Sequence, residues 1–242
     1  MALGAAFAKL KGLSLLLFHL PMLLGSASFL LTLWLYGLAF GWRFGIILAL
    51  VLLGHELGHV LAFKSYGLAV RAPIFLPFMG ALTAGAMPQS LEEDAYIALA
   101  GPLAGLMLAA LCYSMALATG DPFWLLATNI SVVLNLFNLI PVVPLDGGRI
   151  IHAIWPPVVL VGVPLFFVVA FLAKLPLLPL ILIALLSIPW LIDALRGRID
   201  PRAASMSRMA RVRVGLAYCG TLLGLLFFEA RIHLPSLLAL HR

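Results

Sequence analysis

The sequence predicts an all-α polytopic membrane protein, with six or seven transmembrane helices and one re-entrant β-hairpin. Three observations predict it. Of the 242 residues, 64% are hydrophobic and only 10% are charged, too few polar groups to coat a water-soluble fold of this length. Apolar runs of about 20 residues, long enough to cross the hydrocarbon core of a bilayer, recur along most of the chain. One further apolar stretch is broken by proline and glycine too often to be helical.

Read against helix breakers, the apolar runs give spans at Pro21–Phe40, Phe44–Phe63, Tyr96–Ala118, Phe123–Ile140, Val158–Ala173, Leu177–Leu195 and Val214–Phe228. Pro189 interrupts the sixth, and the last is short and ends near Glu229 and Arg231, which leaves the count at six or seven. The broken stretch is Arg71–Pro88, with Pro73, Pro77, Gly80, Gly85 and Pro88. Non-helical backbone survives at membrane depth only when protein or water surrounds it, so this stretch is expected as a hairpin tucked against the helices.

Charge placement sets the orientation. The net charge is +6, but loop distribution matters more than the sum in a membrane protein. If all seven runs span, one side holds eleven basic residues: Lys9, Lys11, Lys64, Arg71, Arg149, Arg196, Arg198, Arg202, Arg208, Arg211 and Arg213. Arg43, Lys174, Arg231 and Arg242 fall on the other side. The bias assigns the N-terminus and the Arg-rich loop to the cytoplasm, as in a multi-pass protein of a cell inner membrane, with the bilayer rather than nucleic acid as the partner. Cys112 and Cys219 match no metal or redox spacing and read as packing residues. The apolar stretch after Lys9 and Lys11 is too long for a signal-peptide core and is expected to be retained.

The second span contains His55-Glu56-Leu57-Gly58-His59. Residues four apart share a helix face, so His55 and His59 can offer two imidazoles to one zinc ion, with Glu56 beside a water made acidic by the metal. A carboxylate there can accept the proton of that water and pass it to a leaving amine. Ionisable groups inside an apolar helix are costly unless paired, coordinated or hydrated, which argues for chemistry over an idle core triad.

Two imidazoles leave a catalytic zinc one ligand short. Asp146 lies in Asn138-Leu139-Ile140-Pro141-Val142-Val143-Pro144-Leu145-Asp146-Gly147-Gly148. Pro141 and Pro144 must end the fourth helix, and the two glycines allow a sharp turn that aims Asp146 inward. An aspartate before two glycines is also an ordinary turn residue. Position favours the ligand role: both motifs fall at the cytoplasmic end and at nearly the same depth.

These residues, with Ala100-Gly101-Pro102-Leu103-Ala104-Gly105 opening the third span, resemble the site-2 protease family of intramembrane metalloproteases. The resemblance covers roughly Leu13–Arg149 and continues only in hydropathy. It implies Zn2+ on His55, His59 and Asp146, with Glu56 as general base and Asn138 positioning substrate or stabilising an oxyanion. It also implies that the hairpin near the active site, through Phe78, Met79, Gly80, Ala81, Leu82 and Thr83, offers a strand edge to unwound single-pass transmembrane substrates. Residues 1–242 then form one membrane-embedded metalloprotease domain, with a catalytic core over about 13–150 and C-terminal helices over about 157–235. Many relatives carry Asn where Gly105 stands, and here Gly101 and Gly105 read as a small-xxx-small packing face. Many relatives also carry an appended PDZ or CBS domain. None is recognised here, so control falls to a separate membrane protein or to prior trimming of the substrate.

Three other features receive plainer readings. Glu92, Glu93 and Asp94 suit the N-terminal dipole of the third span. His19, His152, His233 and His241 stand near helix ends, where interfacial water suffices. Beyond the motif face the spans read as nearly free of polar residues, which disfavours an ion path.

Overall fold

The computed structural model describes residues 24–77, 80–172, 177–198 and 200–239. The chain is mostly helical, with α1 Leu24–Phe40, α2 Trp42–Ser65, α3 Leu91–Thr119 and α4 Pro122–Asn138, then the short α5 Asp146–Ile154. After α5 come α6 Val158–Leu172, α7 Leu177–Leu195, a 3-10 turn at Pro201–Ser205 and α8 Arg208–Ala239. Among the described residues α2, α3 and α8 are long and apolar enough to cross a bilayer, while α1, α4 and part of α7 are shorter apolar helices. Lys9, Lys11, His19, Phe78, Met79, Lys174, His241 and Arg242 lie outside the described residues.

Capping chemistry sets the bounds of α3. The Ser90 hydroxyl accepts from the Glu93 amide at 3.1 Å, and the Glu93 carboxylate accepts from the Gln89 amide at 2.9 Å. This reciprocal pair starts the helix five residues before the expected Tyr96 and contributes about 1 kcal/mol. Gly120, at φ 69°, ends α3 in the left-handed conformation, and Asp121 with Pro122 opens α4 at once. A hairpin connection this tight forces α3 and α4 to lie antiparallel.

Helix α3 is the spine, packed on α2, α4, α5 and α8. Its contact with α2 is close because Gly58 bears no side chain: an added Cβ would collide with the Ala100 carbonyl and lie 2.9 Å from the Ala104 Cβ. On another side Leu99, Val132, Ile150, Ala210, Val214 and Leu225 join α3, α4, α5 and α8 in one core.

The hairpin pairs β1 Ile74–Leu76 antiparallel to β2 Gly80–Leu82, with Phe75 opposite Ala81. The Phe75 amide donates to Ser28 on α1 at 3.0 Å, and its ring meets Phe29 edge-on at 5.1 Å. The other face leaves Ile74, Leu76 and Leu82 exposed.

Several expectations need correction. Pro189 does not interrupt the helix that carries it, because α7 runs through it from Leu177 to Leu195. The last helix is not short, and it continues through Glu229 and Arg231 to Ala239. Gly147 and Gly148 do not make a turn, since both lie inside α5. They are small because Cβ atoms there would strike the Leu139 and Ile140 carbonyls and the Val142–Val143 backbone. Asp146 is thus the first residue of a helix folded back onto the loop before it.

Gly58→Leu is expected to destabilise the fold by about 2 kcal/mol through overpacking against backbone. Unfolding in mixed detergent micelles reads this out, and an unchanged midpoint would mean α2 and α3 do not approach so closely.

Candidate metal centre

Four ionisable side chains meet where α2, α3 and α5 converge, and all are buried: His55 is 3% exposed, Glu56 4%, His59 6% and Asp146 7%. One helix turn brings the two imidazoles together at 4.8 Å between centroids, almost perpendicular at 84°. Their Nε2 atoms are 3.1 Å apart. Asp146 Oδ2 lies 3.1 Å from Nε2 of His55 and 3.3 Å from Nε2 of His59.

The three atoms therefore form a nearly equilateral triangle that fits a metal ion. A tetrahedral zinc with ligands at about 2.0–2.1 Å requires ligand edges of about 3.3–3.4 Å, close to those measured. The donor set of two nitrogens and one carboxylate oxygen is that of an open zinc site, with a fourth position left to water or substrate.

Each ligand is held by a second group. His59 Nδ1 lies 2.7 Å from the Ile97 carbonyl on α3. A carbonyl only accepts, so Nδ1 bears the proton and Nε2 presents its lone pair. His55 Nδ1 meets the side-chain oxygen of Asn135 on α4 at 2.7 Å. Arg149, one turn along α5, stands 3.8 Å from Asp146 Oδ1 and 2.5 Å from Asp94. Arg202, paired with Asp200 at 2.7 Å, approaches Asp94 at 3.6 Å and donates to the Pro88 carbonyl. Gly101 faces the rings so closely that a Cβ would overlap the His59 Nε2.

Glu56 stands outside the clustered set of candidate ligand atoms and reaches the hairpin. Thr83, just after β2, donates its hydroxyl to Glu56 Oε2 at 2.6 Å. The structure thus brings His55, His59 and Asp146 together as a group that could hold a metal ion, with Thr83 beside the candidate base. Gly80, Ala81 and Leu82 form β2. Asn138 ends α4, and its amide donates to the Leu134 carbonyl at 3.1 Å.

A family model for peptidase family M50 matches residues 43–121 and 115–160, the stretch from α2 into α6 that carries His55, His59 and Asp146. Over this stretch the chain is similar to peptidase family M50. Among similar proteins, zinc metalloprotease MJ0392 of Methanocaldococcus jannaschii is 32% identical over 114 residues, 45% of this chain and 33% of that protein. Rip3 of Mycobacterium tuberculosis is 32% identical over 117 residues, 45% of this chain and 30% of Rip3. The chain spans about a third of the length of the curated relatives it matches. The solved site-2 protease from Methanocaldococcus jannaschii aligns with a TM-score of 0.49 at 21% identity, covering 69% of this chain and 86% of that one.

Sequence reasoning missed a polar stripe on α4. Thr128, Ser131 and Asn135 recur at helical spacing on α4 and are all fully buried. That spacing was visible, and it corrects the expectation that the spans are nearly free of polar residues. The stripe meets His55 and α3 rather than lining a path. The acidic run before α3 also does more than face a dipole. Glu93 caps the helix, Glu92 pairs with Arg213 at 2.7 Å, and Asp94 holds Arg149. Nor is the Arg-rich segment only a loop charge, since Arg211 donates to the Ile154 carbonyl at 2.5 Å and to the Ala203 carbonyl at 3.2 Å.

Arg149→Met removes the closest partner of a nearly buried Asp94 carboxylate and is expected to cost about 3 kcal/mol. The thermal unfolding midpoint of the detergent-solubilised protein should fall by several degrees, and an unmoved midpoint would mean Arg202 alone suffices for Asp94.

Proposed function

We propose that this chain is an intramembrane zinc metalloprotease that hydrolyses peptide bonds within or beside the transmembrane segments of single-pass proteins. One observation supports this above the others: two imidazoles and a carboxylate converge at zinc-ligand spacing inside apolar helices, with a buried glutamate between them and an extended hairpin. Burying such groups is costly, and catalysis at that depth accounts for keeping them.

His55, His59 and Asp146 would hold the zinc, which when bound supplies a Lewis acid that makes water a usable nucleophile near neutral pH. Glu56 accepts the proton of the attacking water and returns it to the leaving amine nitrogen. The Thr83 hydroxyl occupies one oxygen of Glu56, which fixes the carboxylate and leaves its other oxygen to carry the proton. Asn138 is assigned to holding the scissile carbonyl, for which its amide must turn from the Leu134 carbonyl. A helical peptide bond is shielded by its own hydrogen bonds, so the substrate must unwind first. The hairpin, with Gly80, Ala81 and Leu82 in β2, is the strand edge on which it can lie extended.

In this reading α1 to α4 and α6 to α8 span the bilayer and α5 lies at its cytoplasmic edge. Eleven basic residues against four support a cytoplasmic N-terminus and a site opening to that side of a cell inner membrane. Regulated cleavage would then depend on a separate membrane protein or on earlier trimming of the substrate.

Co-expression with a tagged single-pass substrate tests the mechanism. Glu56→Gln is expected to slow cleavage at least about 100-fold while zinc content stays at one per chain. Asp146→Ala is expected to lose the zinc itself. Equal cleavage by wild type and Glu56→Gln would refute proteolysis by this centre, and zinc retained by Asp146→Ala would point to a different third ligand.

A further inference from the structure

We propose that Gly105, Ser131 and Asn135 form one device that locks His55 in the tautomer presenting Nε2 to the metal, with Asn135 as a positioning residue. The proposal rests on the reading of His55 as a zinc ligand.

The orientation of the Asn135 amide follows from its neighbours. Asn135 is fully buried on α4, and its Nδ2 donates to the Ser131 carbonyl at 2.7 Å. A backbone carbonyl can only accept, so the amide nitrogen must face it and the amide oxygen must face His55. That oxygen, 2.7 Å from His55 Nδ1, only accepts in turn. The Nδ1 atom therefore carries the proton, and Nε2 keeps its lone pair toward Asp146 and His59. A backbone group at the far end of the chain of contacts thus settles the protonation pattern of the ligand.

The space for the amide comes from α3. A Cβ built on Gly105 would overlap Cγ, Oδ1 and Nδ2 of Asn135 together. Only hydrogen fits at position 105 while Asn135 holds His55. Ser131 completes the unit, since its hydroxyl donates to the Gly105 carbonyl at 2.8 Å and sets the spacing of α3 and α4 at this level. Because the amide occupies the place where a side chain at 105 would begin, a side chain at 105 and the Asn135 amide exclude one another.

Zinc held against a graded competing chelator, and the visible spectrum of the cobalt-loaded protein, test the device on the full chain in detergent. Asn135→Leu keeps the volume and removes the acceptor, so zinc is expected to bind about 10–100-fold more weakly, with a changed cobalt spectrum. Asn135→Asp keeps an acceptor for Nδ1 and should hold zinc more tightly than Asn135→Leu. Gly105→Ala deletes nothing from the amide but displaces it, and should weaken zinc as Asn135→Leu does. Zinc held as tightly by Asn135→Leu as by wild type overturns the proposal, and so does Asn135→Asp falling as far as Asn135→Leu. If Asn135→Leu fails to accumulate, wild-type retention by Gly105→Ala overturns it instead. Wild-type protein that binds no zinc would sink the metalloprotease reading, whereas zinc-tight wild type with zinc-tight variants sinks only this one.

Discussion

The cost of placing ionisable groups in an apolar interior governs this molecule. Two imidazoles and the Asp146 carboxylate lie within a few ångströms of one another, and the Glu56 carboxylate is buried as well, where an unpaired charge would be strongly disfavoured. Each one is answered by a named partner: Asn135 for His55, the Ile97 carbonyl for His59, Thr83 for Glu56 and Arg149 for Asp146. These partners come from α4, α3, the hairpin and α5, so satisfying one site fixes the relation of most elements around it. The fold can be read as the scaffold that brings five chain segments to a single polar point.

Helix α3 makes that convergence possible by what it lacks. Gly101 leaves room for both imidazoles and Gly105 for the Asn135 amide, while Gly58 of α2 in turn leaves room for the Ala100 carbonyl of α3. Larger residues would push α2 and α4 outward, and the ligand atoms would separate beyond the reach of one ion. At its N-terminal end the same helix presents Asp94 to Arg149 and Arg202, which links the first residues of the 3-10 turn to the Asp146 carboxylate through three ion pairs.

Much of this was legible in the chain itself. His55 and His59 are four apart, so helix geometry alone puts them on one face, and Pro141 and Pro144 end α4 before Asp146. Pro73, Pro77 and Gly80 likewise reported an extended segment, found as β1 and β2. The misses have a common physical cause. Glycine and proline mark either a turn or a close approach, and sequence does not say which. Gly147 and Gly148 proved to be a close approach within α5, and Pro189 sits inside α7. Asn135 was passed over because one amide in an apolar run looks incidental until Thr128 and Ser131 are placed on the same face. The arginines of the last loop showed their charge but not those of their partners that lie over 50 residues away, Ile154, Pro88 and Glu92.

The bare patch on α3 also dictates how this lineage can drift. Leu103, Met107 and Leu111 face outward and are largely exposed, so any oily residue serves there and neutral replacement can accumulate. One turn away, position 101 admits no carbon at all, since a methyl would displace the imidazoles. Variation along a single helix should therefore be sharply uneven, with permissive and forbidden positions alternating at the helical period.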